Sequence, residues 1–232
     1  MKIVVISDFE KAKEKAKDLL YEKVDKKTVL FLSGGATPKS LYASLATDAI
    51  IRPAAVGLVD ERYGKKLHKK SNELMITQTG LLEYLSSQNI PFYPIIQKGL
   101  SRKEDSEEYD QTTRDLFFHF PKSVAVMGIG TDGHISSLAP NRKDFTNPMF
   151  EEEGKNLFVG NFNDTKSDYK ERIGMTFAGL SLIDFFLVLA FGKEKQKPLQ
   201  DMFAQGSMEE VPARFFPQSA SQNTVIITDQ QI

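Results

Sequence analysis

The sequence predicts an α/β fold, a mostly parallel sheet between two layers of helices, and three observations predict it. Short β-branched or apolar runs recur along the 232 residues. Segments with apolar residues at helical spacing separate them. The runs are almost continuously apolar rather than alternating, which suits strands covered on both faces. Strands that alternate with helices imply βαβ units, and those imply parallel pairing.

In chain order, Lys2–Ile6 is the first expected strand. It leads to a helix over Phe9–Val24, where Phe9, Ala12, Ala16, Leu19 and Leu20 fall on one face and lysines on the other. Thr28–Leu32 is a strand, and Pro38–Ala46 a helix that starts with proline at a favoured first-turn position. Ala54–Val59 is a strand, followed by helices over Ser71–Ser86 and Arg102–Phe118. Val124–Met127, Asn156–Val159 and Phe185–Ala190 complete the central strands. A helix over Lys193–Met202 and a strand over Thr224–Ile227 close the pattern. The sum is a Rossmann-like three-layer α/β/α arrangement in a single domain, 1–232, with no repeat or linker. The acidic stretch Glu151-Glu152-Glu153-Gly154 reads as a solvated loop.

Composition removes several classes of function. Lys+Arg 30 against Asp+Glu 31 gives a net charge of −1, so no nucleic-acid partner is expected. The absence of cysteine excludes disulfides, cysteine zinc sites, iron–sulfur clusters and a thiolate nucleophile. The apolar stretch near Met1 is too short for a secretory signal. The longest apolar run, Phe185 to Phe191, is far short of the ~20 residues of a membrane span. A soluble cytoplasmic protein without a membrane partner is expected.

In such sheets, ligands bind beyond the carboxyl ends of the strands. Three segments there carry chemistry. Ser33-Gly34-Gly35-Ala36-Thr37-Pro38 combines paired glycines with a helix start, which suits close approach of backbone to an anion. It lacks the lysine of a Walker loop and the third glycine of the dinucleotide fingerprint. Its plain structural reading is a tight turn with Thr37 as N-cap. Asp60-Glu61-Arg62-Tyr63 brings out two carboxylates and a guanidinium able to grip a phosphate or carboxylate. The alternative is a solvated loop with a local ion pair.

The third segment, Gly128-Ile129-Gly130-Thr131-Asp132-Gly133-His134, crowds three glycines, an Asp and a His at a strand end. A His held by a nearby carboxylate serves as a general base near neutral pH. His68 lies in a lysine-rich loop, and His119, between Phe118 and Phe120, reads as a packed or boundary residue. Asp132 and His134 have no second His at i, i+4, so no metal and no cofactor are expected. The lysines of 65–70 lack interleaved aromatics, so they read as a rim that attracts anionic substrate rather than a nucleic-acid surface.

Taken in order, these segments resemble the 6-phosphogluconolactonase family and, more distantly, the glucosamine-6-phosphate deaminases. Ser71-Asn72, the run from Gly128 to Pro140, Arg172-Ile173-Gly174-Met175-Thr176, Gly192-Lys193-Glu194-Lys195 and Val211-Pro212-Ala213 extend the likeness over nearly the whole chain. In the deaminases the His loop continues into a Phe-Asn-Glu-Pro run. Here Ala139 stands at the acid's place, and Arg62 stands where an aromatic is usual, which favours the lactonases. Gly64-Lys65 departs from the Val-Pro of the lactonases, and Val59, Ala36 and Ala139 also differ.

The resemblance implies hydrolysis of 6-phosphoglucono-1,5-lactone, a small-molecule sugar phosphate lactone, by a monomer or small homo-oligomer. It casts His134 as base, oriented by Asp132 or Asp60, with Arg62 at the oxyanion. It implies a phosphate site on Ser33, Gly34, Gly35, Ala36 and Thr37, closed by Arg172 and Lys195. An amino-sugar phosphate deaminase and a non-catalytic sugar-phosphate sensor are the alternatives.

Overall fold

The computed structural model describes residues 1–97, 101–141, 157–164 and 169–232; the acidic stretch 151–154 and Asn156 lie outside them. Its strands are β1 (Lys2–Val5), β2 (Thr28–Leu32), β3 (Ala55–Leu58), β4 (Asp60–Arg62) and β5 (Lys122–Gly128). They continue with β6 (Val159–Asn163), β7 (Glu171–Met175), β8 (Phe185–Ala190) and β9 (Thr224–Thr228). Six of them form one parallel sheet in the order β1-β9-β8-β5-β2-β3.

The four inner strands are apolar on both faces because both faces are covered by helices, and their side chains from Val29 to Leu32 and Phe186 to Ala190 form the core. The two edges differ. On β3, Val56 exchanges hydrogen bonds with Pro91 O and Tyr93 N. The Tyr109 hydroxyl accepts from Leu58 N (2.6 Å) and donates to Leu58 O (2.8 Å). On β1, Ile3 and Val5 are 36% and 40% exposed, so full cover on both faces fails at this strand. It has a single neighbour, β9, and that is why its apolar run is not a buried one.

A second, three-stranded sheet, β4-β7-β6, is antiparallel throughout. Val59 joins it to the first: its N–H donates to Leu32 O of β2 and its carbonyl accepts from Met175 N of β7. The sequence pattern ends the expected strand at Val59 and leaves Asp60–Arg62 beyond it, because a three-residue charged strand carries no apolar pattern. The strand expected at Asn156–Val159 is displaced to Val159–Asn163, where Val159 and Phe162 are buried.

The helices are α1 (Phe9–Lys23), α2 (Ala36–Asp48), α3 (Asn72–Thr77), α4 (Leu81–Ser87), α5 (Arg102–His119), α6 (Phe177–Leu180), α7 (Gln196–Phe203) and α8 (Phe215–Gln218). Asp8 caps α1, which buries Ala12, Ala16 and Leu20 at i, i+4, i+8. The long helix expected over Ser71–Ser86 is two helices, broken at Gly80 in the left-handed region (φ 80°). Lys193–Lys195 forms a separate 3₁₀ turn ahead of α7.

Along the chain β2 is followed by β3 on one side, while β5, reached later, lies on the other. The segments leaving β2 and β5 therefore diverge and leave a crevice at the carboxyl ends. The site lies there.

Candidate active site

A cavity of about 380 Å³ opens at that crevice, a size suited to a small polar ligand. Its wall on the β2 side is Ser33 to Pro38; on the β5 side it is Gly128 to Thr131 with His134 and Ser136. Asp60, Arg62 and Asn72 line a third side, and Leu189, Phe191, Glu194 and Lys195 a fourth.

Ser33 N donates to Val126 O, so the chain leaves β2 still in register with β5. Helix α2 starts at Ala36, two residues earlier than expected, with Gly35 (φ 123°) as N-cap. Thr37 is thus inside the first turn and is not the N-cap. The first intrahelical donor is Lys39 N, to Gly35 O. Pro38 has no N–H to lose, so the free first-turn amides are those of Ala36 and Thr37, both at the cavity wall. Gly34 is required by close approach: a Cβ there would collide with Asn72 Oδ1.

The β5 segment folds back on itself, with Gly130 N donating to His134 O and Gly133 N to Gly130 O. A Cβ on Gly130 would collide with the His134 ring. Asp132 Oδ1 lies 2.6 Å from His134 Nδ1 and also accepts from His134 N at 3.1 Å. Partial burial works to raise the Asp132 carboxyl, but the hydrogen bonds and charge of His134 outweigh it and hold the group at about 2. An ionised Asp132 fixes the proton on Nδ1 and leaves the Nε2 lone pair of a neutral ring for another partner. Of the two carboxylates expected to orient the base, the one in contact is Asp132.

Asp60 is 6% exposed and is held elsewhere: Oδ2 accepts from Ser137 Oγ (3.1 Å) and Oδ1 from Asn72 Nδ2 (3.3 Å). Its neighbour Glu61 points away and accepts from Arg62 N, Ser71 Oγ, Asn72 N and Glu73 N at 2.7–2.9 Å. It closes the start of α3. Burial pushes its carboxyl up, against the pull of those donors.

In the β4–β7 pair, Asp60 stands opposite Gly174 and Arg62 opposite Arg172. Tyr63 N donates to Glu171 O and Met175 N to Val59 O, so the Arg62–Arg172 pair is a non-hydrogen-bonded one, where side chains come closest. Arg62 reaches the cavity, with Nη1 donating to Lys70 O (3.0 Å). Arg172 does not line it; its Nη2 lies 3.3 Å from Asp164. Burial pulls the Arg172 guanidinium below the arginine range, opposed by Asp60. Lys195 lines the cavity and donates to Ile129 O (2.8 Å), which ties the β8 end to the β5 end.

Sequence reasoning gave no role to Ser136, Glu194 or Asn72. Ser136 (φ 51°) sits in the left-handed region, a feature that only coordinates show. Asn72, 1% exposed, was legible as part of the Ser71-Asn72 motif. Among the described residues no group of three or more His, Asp or Glu could hold a metal ion, and no helix is long and apolar enough to cross a membrane.

The family model for glucosamine-6-phosphate isomerases/6-phosphogluconolactonase matches residues 7–226. The chain belongs to that family. A relative from Xylella fastidiosa named 6-phosphogluconolactonase is 31% identical over 186 residues, 80% of this chain and 75% of that one. A Synechocystis protein of the same name is 30% identical, covering 86% of this chain and 81% of its own. Among solved structures, the 6-phosphogluconolactonase from Plasmodium vivax superimposes with TM-score 0.82 at 19% identity, over 99% of this chain and 91% of that one. A monomeric glucosamine-6-phosphate deaminase gives 0.71 at 17% identity, over 99% and 98% of the two chains. At such identities the structures speak for the shared fold, which both branches of the family have.

Proposed function

We propose that this protein hydrolyses 6-phosphoglucono-1,5-lactone to 6-phosphogluconate. The observation that carries the reading is that an Asp-oriented imidazole and the free amides of a helix start open onto one cavity. The names of the curated relatives and the Ala139 that ends the His loop support the lactonase branch.

The lactone is an ester. Its hydrolysis needs an activated water, donors for the carbonyl oxygen as charge develops, and a proton for the leaving ring oxygen. His134 Nε2 takes the proton from water as the oxygen attacks C1. The tetrahedral oxyanion faces Arg62, and its collapse expels O5, which receives the proton from the imidazolium. Asp132 keeps the ring in the working tautomer and stabilises its charge. A base so placed supplies roughly 10²–10⁴-fold. The 6-phosphate rests on the amides of Ala36 and Thr37 at the positive end of the 13-residue α2, with Ser33 and Lys195 beside it. Arg172, opposite Arg62, adds charge from behind. Asp60, already bound on both oxygens, holds that side of the wall in place and presents its remaining lone pairs to sugar hydroxyls.

The test is the decay of freshly generated lactone with and without protein, corrected for spontaneous hydrolysis. Acceleration is expected in wild type, with a roughly 10²–10⁴-fold lower kcat in His134→Ala. Near-normal rates in that variant would remove His134 from the chemistry. Thermal stabilisation by 6-phosphogluconate without any acceleration would make the protein a sensor instead.

A further inference from the structure

The segment between β4 and α3 folds around one ring. His68 is the half-buried residue among the exposed Lys65, Lys66, Leu67, Lys69 and Lys70. Its N–H donates to Lys65 O and its carbonyl accepts from Ser71 N. Nδ1 accepts from Lys70 N at 3.2 Å, and Nε2 lies 2.7 Å from Arg62 O. One donor and one acceptor on the ring define the neutral Nε2–H tautomer. The ring stacks on Tyr169, with centroids 4.9 Å apart and planes within 8°. Gly64 leaves it room, since a Cβ there would lie 3.2 Å from Cδ2. Leu67 just before it has φ 58°, a conformation that persists where surrounding contacts over-determine it.

Both ends of Arg62 are tied to this arrangement. Its carbonyl meets the ring, and its guanidinium donates to the carbonyl of Lys70, the residue whose N–H the ring accepts. Arg62 Nε is buried and has no acceptor among the described residues, while Nη1 is held by Lys70 O. We propose that His68 is a positioning residue: its two ring nitrogens lock the 63–71 segment so that Lys70 O holds the Arg62 guanidinium at the cavity wall. Gly64, where the lactonases usually carry Val, leaves this ring room that a Cβ would narrow. The inference rests on Arg62 serving the site as proposed above.

Two substitutions separate bonding from packing. His68→Phe keeps a ring to stack on Tyr169 and removes both nitrogens. His68→Asn places an amide oxygen where Nδ1 was, keeping the acceptor for Lys70 N–H while losing the ring. We expect kcat/KM on the lactone to fall about tenfold in His68→Phe and less in His68→Asn. In an Arg62→Ala background His68→Phe should cost nothing further. The reverse order of the two variants, no loss in His68→Phe, or an equal loss in both backgrounds would overturn the proposal. Proton–nitrogen spectra supply a readout free of activity. His68 should carry its proton on Nε2 at neutral pH, and the buried Arg62 Nε–H should exchange faster in His68→Phe. A proton on Nδ1, or unchanged exchange, would overturn the lock even in a protein that hydrolyses no lactone; a lock seen in such a protein would sink the lactonase reading alone.

Discussion

The two sheets divide the work. The six-stranded sheet is buried and apolar, and what it offers the cavity is mostly backbone: the turn after Leu32 and the glycines after Met127. The three-stranded sheet is small and charged, and puts Asp60, Arg62 and Arg172 on one face of a β4–β7 ladder three pairs long. A large apolar sheet is stable enough to carry a short, charged one that would not form alone. Substitutions in the first should therefore move stability, and substitutions in the second should move the reaction as well.

The largest stability effect is expected in the main sheet. Leu187, fully buried in the central β8, should lose about 2–5 kcal/mol on change to alanine. Denaturant unfolding measures this, and kcat/KM well below the midpoint should stay within about twofold. A tenfold fall in folded protein would break the division, since the scaffold would then be tuning the chemistry.

Glu61→Gln is the matching change in the small sheet. It keeps the shape but sets an amide NH₂ among four donors, leaving at least one unsatisfied, at about 1–3 kcal/mol. Because Glu61 holds both Arg62 N and Asn72 N, kcat/KM should fall with it, by about tenfold. Lost stability with unchanged turnover would show that the small sheet is also only scaffold.

The same contrast decides what could be read from sequence. The main sheet was legible because its inner strands are apolar without interruption, and Thr28–Leu32 and Phe185–Ala190 match residue for residue. Asp60–Arg62 was not legible as a strand, because its extended shape comes from pairing with β7, more than a hundred residues away. Residues 171–175 were noticed only through a resemblance. The place of the cavity was the easier part: glycines beside His134, and charges where an apolar run stops, mark a strand end whatever the pairing. Partners were harder. Two carboxylates were open as partners for His134, and the sequence does not say that Asp132 is the one that lies 2.6 Å from its ring.

The smallest effect expected concerns the sign of pH dependence in those two regions. Asp132 sits on the loop that leaves the main sheet, and its carboxyl is held at about 2, below the ordinary 3.8. A depressed acid contributes stability that is complete above the unfolded value and lost as pH falls through the folded one. The difference in unfolding free energy between wild type and Asp132→Asn should thus be flat from neutral pH down to about 4 and shrink toward pH 2. With two-fifths of the side chain exposed, solvent screening limits it to about 1 kcal/mol. Glu61 should show the opposite slope. Burial raises its carboxyl, so the folded state takes up a proton before the unfolded one does, and wild type should gain on Glu61→Gln as pH falls toward 4.5. Parallel slopes for the two variants would mean that the loop and the small sheet hold their carboxylates in the same way. Opposite slopes would mean that the loop keeps an acid ionised to orient a base, while the small sheet bears the cost of burying one to cap a helix.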